Sequence, residues 1–154
     1  MKGSRYHSHD DSTGLLFWQV STLWQRAVKD ALRPFNLTHT QYVILAVIAE
    51  LNETDGDITQ KMISDFSMID PMTTSSTLRL LEKKGLAQRN PSKSDSRANT
   101  ICTTGSGLEL LGKAVRAVET VDAAFFFKEE SALKSFQELL RELKMEHGGQ
   151  ALRG

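Results

Sequence analysis

Two short helices separated by only three residues constrain this chain more than anything else in it. Asp57-Ile58-Thr59-Gln60 offers a capping box with Asp57 as the cap, opening a short helix to about Phe66, and Met62, Ile63 and Phe66 give that helix an inner face. Ser67-Met68-Ile69 then leaves room for a tight turn and nothing else. Asp70 can cap the next helix, and Pro71 falls at its first position, where a missing N–H costs nothing. That helix reads on to Lys83 and Lys84, cations suited to a helix C-terminus, and Gly85 is placed to take the left-handed stop. Two such helices across so short a turn describe a helix-turn-helix.

The second helix divides cleanly into two sides. Thr74, Leu78 and Leu81 line one; Met72, Thr73, Ser75, Ser76 and Arg79 lie largely on the other. Hydroxyls and a guanidinium on an exposed helix face can bond phosphates or base edges, and Met72 and the Thr73 methyl can meet a thymine methyl.

Beyond Gly85 the chain completes a lobe. Leu86 to Asn90 reads as a strand, Pro91 to Ser96 as a turn and Arg97 to Thr103 as a returning strand, with Thr104 as the cap of a further helix. Lys93, Ser94, Asp95 and Arg97 therefore sit at the tip of a hairpin beside the helix-turn-helix, where cations can reach a phosphate backbone or a minor groove. Net charge is zero over the 154 residues, which argues against wholesale nucleic-acid binding. Its distribution argues the other way. From Arg79 to Arg97 six cations face two acids, whereas Thr38 to Gln60 holds four acids (Glu50, Glu53, Asp55, Asp57) and no Lys or Arg.

The remaining segments read as helices. Gly14 to Phe35 carries two apolar stripes, Leu16, Val20, Leu23, Ala27 and Phe17, Trp24, Val28, Ala31, Phe35, with Pro34 as its end. A helix apolar on two sides needs two covers, and in a chain this short the second is expected to be another subunit. Thr38-His39-Thr40-Gln41 forms a capping box for an apolar core helix reaching about Leu51. A long helix from about Gly105 to Phe127 shows three- and four-residue apolar steps broken at Asp122, and a last one runs from about Glu130 to Met145. Residues 1–13 and 148–154 read as mobile tails; His7, His9, Asp10 and Asp11 lie in the first, without the rigid geometry a metal site needs.

In order and spacing, Leu81-Glu82-Lys83-Lys84-Gly85, Asp95-Ser96-Arg97 and Thr104 resemble the signature of the MarR (multiple-antibiotic-resistance regulator) family of winged helix-turn-helix transcription factors, with matching element order from about Leu15 to Leu143. The resemblance implies a mainly α fold with a small β-hairpin wing: a winged helix-turn-helix lobe at 36–104 joined to a helical dimerisation region made of helices at 14–35 and 105–147. It implies a homodimer on a pseudo-palindromic double-stranded DNA operator, with Asp95 orienting the wing and Arg97 entering the minor groove. It also implies a small aromatic or anionic effector between the lobes, near Trp18, Trp24 and His39.

Competing classes lack their residues. The sequence holds no nucleophile elbow, phosphate loop, HExxH or cysteine cluster, so neither an enzyme, a metal sensor nor a cofactor is expected. Single Cys102 can staple nothing within the chain, and its position beside Ile101 and Thr103, expected to face inward, turns it outward or to an edge. The longest apolar run, Tyr42 to Ala49, is far below a membrane span, and the polar start lacks a signal peptide's apolar centre; a cytoplasmic protein is expected. The alternative is a winged helix that binds a protein and has lost DNA binding.

Overall fold

In the computed structural model, which describes residues 3, 5–54 and 56–148, six helices surround one two-stranded hairpin. In chain order they are α1 (Thr13–Leu32), α2 (His39–Asn52), α3 (Gln60–Ser67), α4 (Pro71–Lys83), β1 (Ala87–Pro91), β2 (Asn99–Thr103), α5 (Gly105–Phe125) and α6 (Glu130–Gly148).

Local signals set most of these boundaries. Thr38 caps α2 through the reciprocal box, its hydroxyl accepting from the Gln41 amide at 3.1 Å while the Gln41 side chain accepts from Thr38 N–H at 3.2 Å. Asp70 accepts from the Thr73 amide at 2.8 Å, with Pro71 first in α4. Gly85 takes φ +70°, the left-handed stop. Some boundaries differ from the sequence reading. The cap of α3 is Thr59, whose hydroxyl accepts from Met62 N–H at 3.2 Å, and not Asp57. Helix α1 ends at Leu32, ahead of Pro34, because a 3-10 turn over Arg33–Phe35 takes up the proline. Arg97 lies in the wing turn, which spans residues 92–98, and not in the returning strand.

At the expected tails, Ser12 caps α1 and His9–Asp11 forms a 3-10 turn. Apart from Gly148, the expected C-terminal tail lies outside the described residues, as do residues 1, 2 and 4 and the His9 side chain.

The core lies where α2 is surrounded. Ile44, Leu45 and Ile48 of α2 are wholly buried, with Ile63, Leu78, Leu81 and Ile101 from the helix-turn-helix and wing on one side. Val28 and Leu32 of α1 and Ala114 and Val118 of α5 close the other. Polar residues tie this core together at two points. Trp24 donates its indole N–H to Asp122 at 2.8 Å, so the acid that interrupts the apolar steps of α5 is the partner of a half-buried tryptophan. Thr74, fully buried on α4, donates to the Ile69 carbonyl at 3.2 Å and so fixes the turn between the two short helices.

The hairpin pairs antiparallel with Ala87 opposite Thr103 and Arg89 opposite Ile101. Its outer edge is not left bare: Ile101 N–H donates to the Ile58 carbonyl at 2.9 Å, and Asn52 bonds the Ile101 carbonyl and Thr103 N–H, each at 3.1 Å. At its base, Gly107 of α5 presses on the wing, and a Cβ there would stand 2.1 Å from the Leu86 carbonyl oxygen. Only glycine fits. Thr104 donates to the Gly85 carbonyl at 2.6 Å and Ser106 to the same oxygen at 3.0 Å, so the stop of α4 and the start of α5 are one seam.

Candidate nucleic-acid interface

Helix α4 buries Thr74, Thr77, Leu78 and Leu81, which turns Met72, Ser76 and Arg79 to solvent and leaves Thr73 and Ser75 half-exposed. Met72 is 84% exposed. Hydroxyls on this face are already engaged along the helix: Ser76 donates to the Thr73 carbonyl at 3.1 Å, and Ser75 accepts from the Arg79 guanidinium at 3.1 Å. Each bond is exposed and local, so phosphates or base edges can replace it at small cost.

The wing tip is organised by two carboxylates. Asp95 accepts from the Arg97 backbone N–H at 2.9 Å, and the described residues hold no Asp95–Arg97 ion pair. Asp95 therefore sets the turn's backbone and leaves the Arg97 guanidinium exposed. The second carboxylate, Asp57, comes from the loop before α3. It accepts from the Ser92 hydroxyl in a short bond and from the Ser94 hydroxyl at 2.6 Å, with the Ser94 amide at 3.4 Å. These donors favour the charged form, chiefly the two hydroxyls, and hold the Asp57 carboxyl down at about 2. Sequence reasoning placed Asp57 as a helix cap and Ser94 as a DNA contact. Its one available signal was the pair of serines two residues apart, facing an acid-only segment.

The cations divide as well. Arg89 pairs with Glu82 at 2.9 Å, and Lys84 donates to the Asn36 carbonyl at 2.5 Å and to Gln41 at 3.0 Å, away from the wing. Of the six positive residues between Arg79 and Arg97, Arg79, Lys83, Lys93 and Arg97 remain outside these pairings, all exposed.

The three residues expected to line an effector site are only partly brought together. Trp24 and His39 meet edge to face at 5.2 Å, and Tyr42 and Phe126 extend the cluster. Burial against these rings lowers the His39 pKa below 6.5, more than the Asp122 charge raises it. Trp18 is 72% exposed and stands apart in a hollow with Gln19, Thr22, Leu23 and Arg26. Cys102 is half-buried, accepting from the Asn90 amide at 3.1 Å. Among the described residues no group of His, Cys, Asp and Glu is placed to hold a metal ion, and no helix is long and apolar enough to cross a membrane.

A tri-helical core with a capped helix-turn-helix and an adjoining hairpin, its exposed face carrying hydroxyls and cations, is a winged helix-turn-helix. A family profile described as "MarR family" matches residues 37–98. The chain is 37% identical over 141 residues to the HTH-type transcriptional regulator YdcH of Bacillus subtilis, covering 90% of this chain and 96% of that one. It belongs to the MarR family and is a DNA-binding transcriptional regulator, not an enzyme. The fold is shared with CouR of Rhodococcus jostii bound to p-coumaroyl-CoA (TM-score 0.78, 23% identity, 90% of this chain and 95% of that one). It is shared also with a mutant MarR of E. coli complexed with operator DNA (TM-score 0.76, 19% identity, 91% and 99%).

Proposed function

We propose that this regulator is a cytoplasmic homodimer that represses transcription by occupying a pseudo-palindromic operator and is released by a small-molecule effector. In this reading each α4 lies in a major groove, with Met72, Thr73, Ser75, Ser76 and Arg79 toward the bases and phosphates. Lys93 and Arg97 of each wing reach the backbone and the adjacent minor groove. One observation carries it: α4 and the wing belong to one lobe, on which the bonds of Ser75, Ser76 and Arg79 run along α4 itself and the Arg97 side chain is exposed. Dimerisation is supported by the apolar side chains that the chain leaves bare on its terminal helices, Leu16, Phe17, Val20 and Leu23 on α1 and Leu139 and Leu143 on α6. Two-fold symmetry then sets the half-sites about one helical turn apart.

Salt-titrated binding to operator DNA tests the reading. Arg97→Ala should weaken binding and reduce the salt slope by about 1, since one phosphate-region cation is lost. Thermal stability should hold, because the Arg97 side chain is exposed and has no ion pair among the described residues. Unchanged affinity and slope would mean that the wing does not touch DNA.

A further inference from the structure

Two neighbouring lysines close α4 and point different ways. Lys83 is exposed and continues the outward line of Met72, Ser76 and Arg79 at three- and four-residue steps. Lys84 stands roughly 100° further round the helix. Its ammonium donates to the Asn36 carbonyl at 2.5 Å and to the Gln41 side-chain oxygen at 3.0 Å. Both acceptors lie at the elbow where α1 passes into the winged lobe. Asn36 ends the Arg33–Phe35 turn in the left-handed conformation, φ 52° and ψ 39°, and Thr38 opens α2 two residues later. Gln41 is 6% exposed, and its oxygen also accepts from the Thr38 amide, so the capping box fixes where that oxygen lies.

The Asn36 carbonyl turns with the backbone of the elbow, so a rotation there swings it away from the ammonium. Other contacts leave such a rotation open. Val28 and Leu32 join α1 to the core by apolar packing, which has no preferred direction, and the Trp24 bond to Asp122 ties α1 to α5. Met72 lies roughly 18 Å from Lys84 along α4, so a rotation of about 5° at the elbow shifts it by about 1.6 Å. Donor–acceptor distances in a hydrogen bond span only about 0.5 Å, so a shift of that size takes a group on α4 out of reach of a base edge. Phosphate binding does not account for the arrangement, because two of the three ammonium donors are engaged within the protein.

We propose that Lys84 is a positioning residue for DNA binding: it touches no DNA itself but locks the elbow at residues 36–41, so that α4 keeps one angle to α1. The consequence for DNA rests on the dimer and operator reading. With α1 as a dimerisation helix, that angle sets the distance between the two α4 helices, and so the half-site spacing the dimer accepts.

Distances within one chain test the lock without DNA. Nitroxides are attached at Gln25→Cys on α1 and Arg79→Cys on α4 in a Cys102→Ser background, and labelled chain is diluted into an excess of unlabelled chain so that only intrachain pairs are read. Pulsed electron resonance should give a narrow distance distribution, broadened by Lys84→Met and narrow again in Lys84→Arg, whose guanidinium can donate to both oxygens. Equal widths with and without Lys84→Met would overturn the proposal, as would a Lys84→Arg chain as broad as Lys84→Met. The DNA arm uses the unlabelled chain and compares the operator with versions whose half-site spacing is altered by one base pair. Lys84→Met should lose about tenfold on the operator, the scale of one base contact, and far less on the altered spacings, with the salt slope unchanged. Melting should hold, since the exposed Asn36 passes its carbonyl to water. Equal losses on every spacing with a flatter salt slope would overturn the proposal by making Lys84 a phosphate contact. A wild type indifferent to spacing would overturn the dimer and operator reading instead, and the intrachain distances then decide the lock by themselves.

Discussion

Helix α4 and the wing, the two elements proposed to meet DNA, are held in place by opposite means. Helix α4 is defined within its own sequence: Asp70 caps it, Pro71 starts it, Gly85 stops it, and its inner side chains are spaced for one core face. The wing tip is defined from outside. Its turn closes on itself through the Ser92 amide and the Ala98 carbonyl at 2.9 Å, yet its position is set by Asp57, 35 residues earlier, accepting from Ser92 and by the Leu86–Gly107 contact at its base. A self-capped element fails piecemeal under mutation. A tethered one moves as a unit when its tether is cut.

The largest effect is expected where the two meet. Gly107→Ala places a Cβ against the Leu86 carbonyl, and such overpacking should cost about 1–3 kcal/mol in urea unfolding, even after alanine's better helix propensity is counted. A neutral result would show that the seam yields and that α4 and the wing are not locked together.

Next come the outward residues of α4. Ser75→Ala, Ser76→Ala and Arg79→Ala should each weaken operator binding by about 1–3 kcal/mol in a mobility-shift assay while leaving unfolding unchanged. If all three leave affinity intact, another face of the helix meets the DNA.

Cutting the tether gives a smaller loss of a different kind. Asp57→Ala frees Ser92 and Ser94, and operator affinity should fall by about tenfold or less with the salt slope preserved, since no cation is removed. Asp95→Ala should behave likewise but more weakly, having only the Arg97 amide to release. Asp57 is a carboxylate with a folded pKa near 2 against an ordinary 3.8, so its contribution is full above pH 3.8 and lost only as pH falls toward 2. Wing order, read by amide exchange in the 92–98 turn, should therefore survive at pH 4.5.

The smallest effect belongs to His39. Its pKa is lowered in the fold, so the unfolded chain takes up the proton first, and stability should decline as pH drops below about 6.5. His39→Gln should flatten that slope in denaturant titrations at pH 7.5 and 5.5.

These contrasts also explain what the sequence made legible. Caps, the proline start and the glycine stop act over three or four residues, so Thr38, Asp70, Pro71 and Gly85 are readable from a string of letters. The partnership of Asp57 with Ser92 and Ser94, and that of Trp24 with Asp122, depend on where distant segments meet. Local pattern showed Asp57 only as one more polar residue before a helix, and Asp122 only as an interruption of an apolar series. Lys84 is legible as a cation at the end of α4, but its bonds to Asn36 and Gln41 are not, for the same reason. Fold class followed from the local signals; the details of the tip needed the third dimension.

The seam at the hairpin's base has one more consequence. Thr104 N–H donates to the Leu86 carbonyl at 3.0 Å, so residues 86 and 104 are pinned together whatever lies between them. The two ends of the wing are thus fixed at the globular body. Closing a longer turn costs little, about 0.6 kcal/mol for each doubling of its length. The turn between residues 94 and 98 can accordingly change in length with the globular body left undisturbed, as long as Ser92 and Ser94 keep their bonds to Asp57.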